Sequence, residues 1–494
     1  MNQPLWTASE LAQATGGTLS GPFDAMGVSI DTRTLAPNDL FVALKGDGRD
    51  GHAFVAEAFA RGAAGAMTHR QPRGRTSDRR GGNAGSNTTQ GPGATDATVA
   101  RDPNAAAPLL RVADTLTGLA ALGAFARTRL NGRLIAVTGS VGKTTTKEML
   151  RGALSAFGPT HAAAASHNNH WGLPLTLART PRHARFCIAE IGMNHAGEIA
   201  PLTRLARPHV AVITTIAKAH VGHLGSIEAI ADEKASIMLG LEPDGTAVLP
   251  ADSPQFGRLR AAAGAATVLT FGASPAADVR LLHTEADEDG SLIHVDVAGF
   301  TASLRLHAPG RHMAMNAVAT LAVVSALGLD PARAIEALEL FVPLAGRGAR
   351  REIIVDGGAA LLLDESYNAN GASMRAALEV LRLQPARRHV AVLGDMLELG
   401  DEGPSEHAGL AEAVIASADC LFTCGKLMRH LFDAVPLSLQ GAHAASAADL
   451  APIVASAIAR GDAILVKGSL GSGMKRVVES IEGRQPSTVT AGAA

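Results

Sequence analysis

Residues 138–146 read TGSVGKTTT, and this stretch decides the fold of the middle of the chain. It is similar to a phosphate-binding loop, whose usual pattern G-x-x-x-x-G-K-[ST] requires a glycine five residues before the second glycine. Here the second glycine is Gly142, and the position five residues earlier holds Val137. The nearest upstream glycine is Gly139, so the pattern is compressed. Whether the stretch binds phosphate therefore depends on the secondary structure around it.

The flanking residues predict a strand before the loop and a helix after it. RLIAV, residues 133–137, is an apolar run, and KTTTKEMLRGALSAF, residues 143–157, carries its apolar side chains on one helical face. A strand, a glycine turn and a helix in this order aim the turn amides and the helix N-terminus at one point, where an anion is stabilised. Lys143 adds a positive charge for the β- and γ-phosphates, and Thr144 adds a hydroxyl for Mg²⁺. The residues predicted to bind ATP here are Thr138, Gly139, Ser140, Val141, Gly142, Lys143, Thr144 and Thr145.

The composition predicts a globular protein of about three domains. The 494 residues are 47% hydrophobic and 18% charged, with a net charge of −2, so no global charge favours nucleic acid or an anionic membrane as a partner. The first residues lack a basic start and an apolar core, so no signal peptide is expected. No apolar run is long enough to span a bilayer. We therefore expect a cytoplasmic protein without membrane insertion, with Cys187, Cys420 and Cys424 as reduced packing residues.

One segment of the chain has the composition of a disordered loop. From His69 to Thr98 there is no Val, Ile, Leu, Met or aromatic residue, and such a segment cannot bury enough apolar surface to offset the entropy of ordering. We interpret residues 69–104 as a disordered, solvated insertion. The alternative is a basic arm, because five arginines lie between residues 70 and 80.

The rest of the chain alternates apolar strands with helices, which predicts an α/β fold with parallel sheets covered on both faces. The alternation is regular over residues 134–239 and begins again near residue 351. We predict three domains, formed by residues 1–112, 113–342 and 343–494, and the last of these is expected to be Rossmann-like.

The compressed pattern T-G-x-x-G-K-T resembles the ATP loop of the Mur ligases and of the related folylpolyglutamate synthetases. Four further stretches are similar to signatures of the Mur ligases that add D-Ala-D-Ala to UDP-MurNAc-tripeptide: NNHWGLPLTL (168–177), EIGMNHAGEI (190–199), LLDESYNANGASM (362–374) and VLGDMLELG (392–400). The resemblance covers nearly the whole chain outside the insertion. It implies a small N-terminal uridine-binding α/β domain, a central P-loop ATPase domain with a parallel sheet, and a C-terminal Rossmann-like ligase domain.

The resemblance also implies a reaction. A ligase of this kind uses ATP to convert a carboxylate into an acyl phosphate, from which an amine displaces phosphate. The implied substrates are UDP-MurNAc-tripeptide and D-Ala-D-Ala, and the implied product is the pentapeptide precursor of peptidoglycan. Two Mg²⁺ ions would accompany ATP at the site. The implied assembly state is a monomer.

By resemblance, the catalytic residues are Lys143, Glu190, His220 and Lys234, and the metal ligands are Thr144, Glu190, His220 and Lys234. Lys234 would act as a carbamate formed with CO₂, which turns a cation into an anionic ligand. An ordinary lysine, with a pKa near ~10.4, is protonated at neutral pH and cannot attack CO₂, whereas burial beside metal cations lowers that pKa. The alternative for Lys234 is a solvated helix lysine that pairs with Asp232 or Glu233. The alternative for Glu190 is an exposed glutamate at a strand end.

The remaining predicted contacts divide between ATP and the two substrates. The resemblance assigns the adenosine and phosphate contacts outside the loop to Asn316, Arg347 and Glu365, and the substrate contacts to Ser29, Asp31, Thr32, Arg33, Asn168, Asn169, Asn368, Asn370 and Asp395. The last three are also of types that form turns, and that interpretation is equally good for each. The chain departs from the family pattern at Met313, where an asparagine is common, and at Leu470, where an arginine is usual.

Two alternative functions remain. One is a ligase of the same fold that adds another unit, such as the third amino acid of the muramyl chain or glutamate on folate, which the stretches DESYNAN and GDMLELG disfavour. The other is a P-loop ATPase that acts on a protein partner. That function needs only Lys143 and Thr144, and it leaves Glu190, His220 and Lys234 unexplained.

Overall fold

The computed structural model describes residues 3–46, 48–69, 107–163, 168–218 and 221–483. The predicted insertion therefore lies outside the described residues apart from His69, and so does the predicted ligand His220. Within the described ranges, every helix is too short or too polar to pass through a lipid bilayer.

Contacts between residues divide the chain into two compact units. The first consists of Met1–Leu130 and Trp171–Arg182, and the second of Asn131–His170 and His183–Ala494.

The first unit is built on a five-stranded sheet. Its strands, in the order β1-β5-β4-β3-β2, are β1 (Thr18–Leu19), β2 (Gly27–Ser29), β3 (Asp39–Val42), β4 (Gly65–Thr68) and β5 (Leu109–Arg111). Neighbouring strands are parallel except for β1 with β5. The helices of this unit are α1 (Ala8–Thr15), α2 (Val55–Ala60), α3 (Thr115–Thr128) and, from its second stretch, α5 (Gly172–Ala178).

Helix α5 belongs to the first unit although it follows a long stretch of the second. The indole nitrogen of the fully buried Trp6 donates to the carbonyl oxygen of Ala178 at 2.9 Å, and apolar residues of α1, α3 and α5 share one core. The contacts thus group residues 113–130 and 171–182 with the N-terminal sheet, whereas the predicted domain ranges assigned them to the central domain. The domain boundaries themselves stay predictions.

The second unit contains a nine-stranded sheet in the order β14-β13-β12-β11-β10-β9-β6-β8-β7. Its strands are β6 (Arg133–Thr138), β7 (Thr160–Ala162), β8 (Phe186–Glu190), β9 (Val210–Ile213), β10 (Thr246–Pro250), β11 (Thr267–Gly272), β12 (Val279–Ala286), β13 (Ser291–Val297) and β14 (Phe300–Leu306). The pairs from β7 to β12 are parallel, and β12, β13 and β14 form an antiparallel meander. The accompanying helices are α4 (Lys143–Ser155), α6 (Ile199–Ala206), α7 (Val221–Leu224), α8 (Ile227–Ala235), α9 (Phe256–Ala262), α10 (Arg311–Ala326) and α11 (Pro331–Glu339).

Helix α4 buries the face that its sequence predicts. Met149, Leu150, Ala153 and Leu154 are fully buried against the sheet and α10, and Phe157 packs on the same core just after the helix ends. The strand, turn and helix predicted around TGSVGKTTT are therefore confirmed.

A second sheet of the same unit has six strands in the order β15-β16-β20-β17-β18-β19. They are β15 (Ala349–Val355), β16 (Gly358–Glu365), β17 (Arg388–Gly394), β18 (Cys420–Cys424), β19 (Gln440–Ala444) and β20 (Asp462–Lys467), all in parallel pairs except β15 with β16. The helices are α12 (Gly371–Leu383), α13 (Gly403–Ala408), α14 (Ala411–Ser417), α15 (Met428–Ala434), α16 (Ala447–Ala457) and α17 (Lys475–Glu482). Separate apolar cores cover the two faces of this sheet, as predicted for a doubly covered α/β domain.

Short 3₁₀ helices lie at Gly51–Phe54, Ser236–Gly240, Gly400–Glu402, Leu437–Leu439 and Leu470–Ser472. The three cysteines form no disulfide, in agreement with the prediction that they are reduced.

Replacing Trp6 by phenylalanine should destabilise the protein by about 1–3 kcal/mol, because the change removes a buried donor and leaves the Ala178 carbonyl without its indole partner. Urea unfolding followed by far-UV circular dichroism measures this, since that signal does not depend on the lost indole. The control Phe300→Leu, at a side chain 42% exposed, should leave the unfolding midpoint unchanged. An unchanged midpoint for Trp6→Phe would mean that this bond does not hold α5 in the first unit.

Candidate active site

The carboxyl ends of three neighbouring strands, β9, β6 and β8, meet at one edge of the nine-stranded sheet. TGSVGKTTT follows β6, Glu190 ends β8, and residues 214–217 follow β9. In open α/β sheets, ligands bind outside the carboxyl ends of the strands. The strand order therefore brings together at one edge groups that are far apart in the sequence.

The loop between β6 and α4 closes because two glycines lie where a side chain would not fit. Gly142 has a φ of 86°, and a Cβ at this position would lie 2.5 Å from Oδ1 of Asn316. Gly139 has a φ of 150°, and a Cβ there would lie 2.0 Å from Oγ1 of Thr214. Gly142 is also the residue from which α4 begins, so the first helical turn, whose amides cannot be bonded within the helix, starts at the loop. This is the backbone arrangement that binds phosphate.

Residues 214–217, which we call the brace, hold the loop from the side of β9. The amide of Ser140 donates to the carbonyl of Thr215 at 2.7 Å, and the Ser140 hydroxyl donates to the carbonyl of Ala217 at 2.9 Å. The Thr214 hydroxyl donates to the carbonyl of Val141 at 2.5 Å. The loop is thereby bonded at consecutive residues to the neighbouring strand end.

Lys143, the first residue of α4, folds back over the loop. Its Nζ donates to the carbonyl oxygen of Gly139 at 2.7 Å. Removal of this ammonium group from water lowers the pKa of Lys143; the carboxylate of Glu190 opposes that shift, and the guanidinium of Arg347 adds to it. An ammonium group held in this way is stabilised by an anionic ligand, since ionised groups away from water require partners.

Glu190 is buried at the end of β8, with 2% of its surface exposed. Its Oε2 accepts from the hydroxyl of Thr144 at 2.9 Å, and its Oε1 accepts from Nδ2 of Asn168 at 3.0 Å. The alternative of an exposed strand-end glutamate is therefore wrong. The structure brings two predicted metal ligands and one predicted substrate contact into a single hydrogen-bonded group.

Lys234 is buried on α8, with 1% of its surface exposed. Burial lowers its pKa well below the usual value, the charge of Lys143 lowers it further, and Glu233 opposes the shift. The two acidic neighbours are engaged elsewhere: Asp232 pairs with Arg258 at 2.9 Å, and Glu233 accepts from the amides that begin α6, those of Gly197 at 2.7 Å and Ile199 at 2.9 Å. The alternative of a solvated lysine paired with these two carboxylates does not hold.

Few of the described side chains at this sheet edge could act as metal ligands. In the part of the chain that the structure describes, no three His, Cys, Asp or Glu side chains lie together as a metal site. His220 falls outside the described residues, so its predicted role as a ligand stays a prediction.

The predicted adenosine contacts come from both sheets of the second unit. Asn316 is buried on α10, and its Oδ1 accepts from the hydroxyl of Thr146 at 3.4 Å. The guanidinium of Arg347 lies 4.2 Å above the ring of Tyr367. The carboxylate of Glu365 accepts from Lys467 at 3.3 Å. Direct contact of Asn316, Arg347 and Glu365 with ATP stays a prediction.

Two ionisable groups near these residues escaped the sequence reasoning. Lys467, at the end of β20, is buried, and its Nζ also donates to the carbonyl of Asn368 at 2.9 Å. His312 opens α10; burial lowers its pKa, which Glu365 opposes and Lys467 reinforces. The stretch VKGS, in which Lys467 follows a strand of apolar residues, is the signal that could have identified this lysine.

The predicted uridine-binding residues lie in the first unit, at the end of β2 and just after it. Arg33 binds Asp31 through its side chain at 2.5 Å and lowers the pKa of that carboxyl to about 2. Ser29 and Thr32 are buried, whereas 75% of the Arg33 side chain is exposed. The predicted substrate residue Asn169, in the second unit, is exposed. No contact with a substrate tests these five residues, and their roles stay predictions.

The three residues predicted for the arriving dipeptide all make structural hydrogen bonds. Asn370 caps α12 by accepting from the amide of Ser373 at 2.9 Å, and Asp395 accepts from the amide of Met428 at 2.7 Å at the start of α15. Asn368 accepts from the amide of the next residue at 2.9 Å. The turn interpretation therefore describes what these side chains do here, and contact with a dipeptide remains a prediction.

Three family models match the chain in sequence order. "Mur ligase family, catalytic domain" matches residues 25–127, "Mur ligase middle domain" matches residues 137–324, and "Mur ligase, glutamate ligase domain" matches residues 349–470.

Two bacterial relatives named UDP-N-acetylmuramoyl-tripeptide–D-alanyl-D-alanine ligase align with almost the whole chain. The Bacillus subtilis protein is 33% identical, over 96% of this chain and 98% of its own length. The Escherichia coli protein is 34% identical with the same coverage of both chains. The chain belongs to the Mur ligase family.

Solved structures agree with this assignment to the Mur ligase family. A crystal structure of MurF from Acinetobacter baumannii superposes with a TM-score of 0.80 at 29% identity, covering 97% of this chain and 99% of that one. The fold also matches MurF of Thermotoga maritima in complex with ADP, with a TM-score of 0.72 at 24% identity, covering 92% and 97% of the two chains. The predicted three-part α/β architecture is confirmed. As a Mur ligase, the protein is an ATP-dependent enzyme that forms amide bonds.

Replacing Lys143 by alanine should lower turnover on the order of 10² or more, because the change removes a positioned charge from the site of phosphoryl transfer. The control Lys475→Ala, at a side chain 78% exposed on α17, should turn over normally. Steady-state phosphate release at saturating substrates measures both variants. A near-normal rate for Lys143→Ala would contradict the assignment of the loop.

Proposed function

We propose that this protein joins D-Ala-D-Ala to UDP-MurNAc-tripeptide in a reaction driven by ATP and so forms the pentapeptide precursor of peptidoglycan. The observation that carries the proposal is the 33–34% identity over 96% of the chain with ligases of that name. The grouping of half-buried Lys143 with buried Glu190 and Lys234 around one sheet edge supports it, because a simple ATPase would not require all three. Since ATP and a nucleotide-linked precursor are both substrates, we place the reaction in the cytoplasm.

The chemistry has two steps. A carboxylate resists attack by an amine, because resonance and negative charge both repel the nucleophile. In the first step an oxygen of the tripeptide carboxylate attacks the γ-phosphorus of ATP, the bond to the β-phosphate oxygen breaks, and ADP leaves. In the second step the amino group of D-Ala-D-Ala attacks the acyl carbon, the nitrogen loses a proton, and phosphate leaves as the amide forms.

The protein contributes mainly position and charge. The amides at the start of α4 and the ammonium of Lys143 would bind the β- and γ-phosphates, whose negative charge compensates the desolvated cation. Asn168 donates to Glu190 at 3.0 Å, and we propose that it contacts the sugar or peptide part of the precursor. The reacting oxygen and phosphorus would thus be held together by groups that are already ordered.

The donor set at this edge fits Mg²⁺. That ion prefers oxygen ligands, one or two carboxylates together with substrate phosphates, and the Thr144 hydroxyl lies beside the buried Glu190 carboxylate. Lys234, without an acidic partner among the described residues near it, fits a carbamate ligand, and His220 is our proposed ligand of a second ion. Bound Mg²⁺ would neutralise negative charge on the phosphoryl oxygens.

Phosphate release from ATP should require both UDP-MurNAc-tripeptide and D-Ala-D-Ala, because the acyl phosphate and the amine act in sequence. The measurement omits each acceptor in turn from purified protein with Mg²⁺, with Lys143→Ala as the control for contaminating ATPases. Equal release with neither acceptor would favour instead a P-loop ATPase that acts on a protein partner. Release with a free amino acid in place of the dipeptide would favour a ligase of the same fold that adds another unit.

Lys234→Ala should lower turnover on the order of 10², and added short-chain carboxylic acids should restore part of it by supplying the missing anion. Lys234→Arg is the matched variant: it keeps a cation but cannot form a carbamate, so it should be as slow as Lys234→Ala and show no rescue. Full activity of either variant without added acid would exclude a carbamate at this position.

A further inference from the structure

The brace is bonded to the phosphate loop on one side, and the residues just after it contact the loops of the six-stranded sheet on the other. The Nζ of Lys218 lies 2.8 Å from Oε2 of Glu402 and 3.1 Å from Oε1 of Glu406. These carboxylates belong to the short helices that follow β17. One ammonium group of the nucleotide-binding part thus meets two carboxylates of the C-terminal part.

A backbone contact lies beside this ion cluster. The amide of Gly222 donates to the carbonyl oxygen of Glu398 at 3.0 Å. A Cβ on Gly222 would lie 2.7 Å from the nitrogen of Gly400, and a Cβ on Gly400 would lie 3.0 Å from Cα of Gly222. The two main chains therefore touch at a place where neither residue can carry a side chain without a shift.

The C-terminal side of this contact has an unusual backbone. Glu398 has a φ of 65° and Gly400 a φ of 56°, both in the left-handed region. For a residue with a side chain this conformation is uncommon and is kept only when the surroundings hold it. In this conformation the carbonyl of Glu398 and the backbone of Gly400, which has no side chain, both contact Gly222.

We propose that Lys218 and Gly222 are positioning residues of the ligase, which dock the C-terminal sheet in register with the phosphate loop. The brace bonds the loop at Ser140 and Val141, and Lys218 follows Ala217 directly, so a shift at the C-terminal contact is passed to the loop over a few bonds. Gly222 sets the distance between the two parts, and Lys218 sets their orientation. Exposed ion pairs contribute little to the free energy of unfolding. Loss of this pair should therefore change the placement of the two parts and leave the stability of the protein nearly unchanged.

This proposal rests on the proposed ligase function, in which ATP binds on one side of the contact and the amine arrives from the other. Loss of the contact should then lower kcat by about tenfold or more, because misplacement of reacting groups by about 1 Å is costly. ATP affinity should fall much less than kcat, since the loop, Lys143 and Thr144 are intact and only the contacts predicted for Arg347 and Glu365 move with the C-terminal sheet.

The experiment compares Lys218→Glu with the triple variant Lys218→Glu, Glu402→Lys, Glu406→Lys. The single reversal should lose about tenfold or more in kcat with a much smaller loss of ATP affinity by calorimetry, and the triple variant should recover most of the kcat, because the charges are again opposite. Wild-type kcat in the single variant, or no recovery in a triple variant with normal circular dichroism, would overturn the proposal. A parallel fall in ATP affinity would also overturn it, since Lys218 would then merely support the loop.

Gly222→Ala tests the backbone contact independently. It should lower kcat in the same way, without rescue by the charge reversals, whereas a normal kcat would exclude a role for the close approach. The matched control is Arg429→Glu with Asp433→Arg, an ion pair of 2.8 Å confined to α15, which should behave as wild type throughout. Failure of the ligase function itself appears differently, as wild-type ATP cleavage that does not depend on the two acceptors.

Discussion

Half-buried Lys143 and buried Glu190 and Lys234, grouped at a single sheet edge, are the constraint on which the second unit depends. The ammonium of Lys143 lowers the pKa of Lys234, and burial lowers both, so the pair is unfavourable unless negative charge enters. Glu190 supplies part of it. Phosphate groups supply more, so the charge of a nucleotide complements that of this site.

The helix that carries Lys234 shows how this imbalance is maintained. Glu233, the residue next to the lysine, would be its nearest counter-ion, but its two oxygens accept from the amides that begin α6. A carboxylate at a helix N-terminus is stabilised by those amides and by the helix dipole. The same contact ties α8 to the loop after β8, the strand that ends in Glu190. An anion formed on Lys234 would then remove the imbalance.

The sequence predicts those parts of this structure whose signals are local. The turn at Gly142 and the apolar face of α4 are each written within about fifteen residues, and both are found as predicted. The position of α5 could not be predicted, because it depends on Trp6 meeting Ala178 across more than 170 residues. The residues of the site divide in the same way, between local signals and contacts that depend on distant parts of the chain. Glu190 and Thr144 were predicted from motifs, whereas their mutual hydrogen bond depends on strand order.

Asn370 and Asp395 show why motif membership alone does not assign a role. Both lie in stretches shared with the family, and both are buried with their side-chain oxygens bonded to helix amides. A side chain that caps a helix fixes where that helix begins, and here the helices begin at the carboxyl edge of the six-stranded sheet. Such residues can be indispensable to a binding site without contacting the ligand, because they set the backbone from which other groups reach it.

At Met313 the chain departs from the family pattern, and an apolar side chain packs where an amide is common. Its side chain is 5% exposed, and its methyl carbon would lie 3.1 Å from a Cβ on Gly348, so an apolar contact between α10 and the segment after Arg347 stands where the family often has an amide. The polar contacts near this place are the ion pair of Lys467 with Glu365 and the cation–π contact of Arg347 with Tyr367. These pairs join residues of the C-terminal sheet and its leading segment, whereas Met313 belongs to the central helix α10. The region predicted to contact adenosine thus combines apolar packing between the two parts with polar contacts inside one of them. Apolar packing tolerates small movements of the C-terminal sheet better than a hydrogen bond from an amide would, because it is not directional.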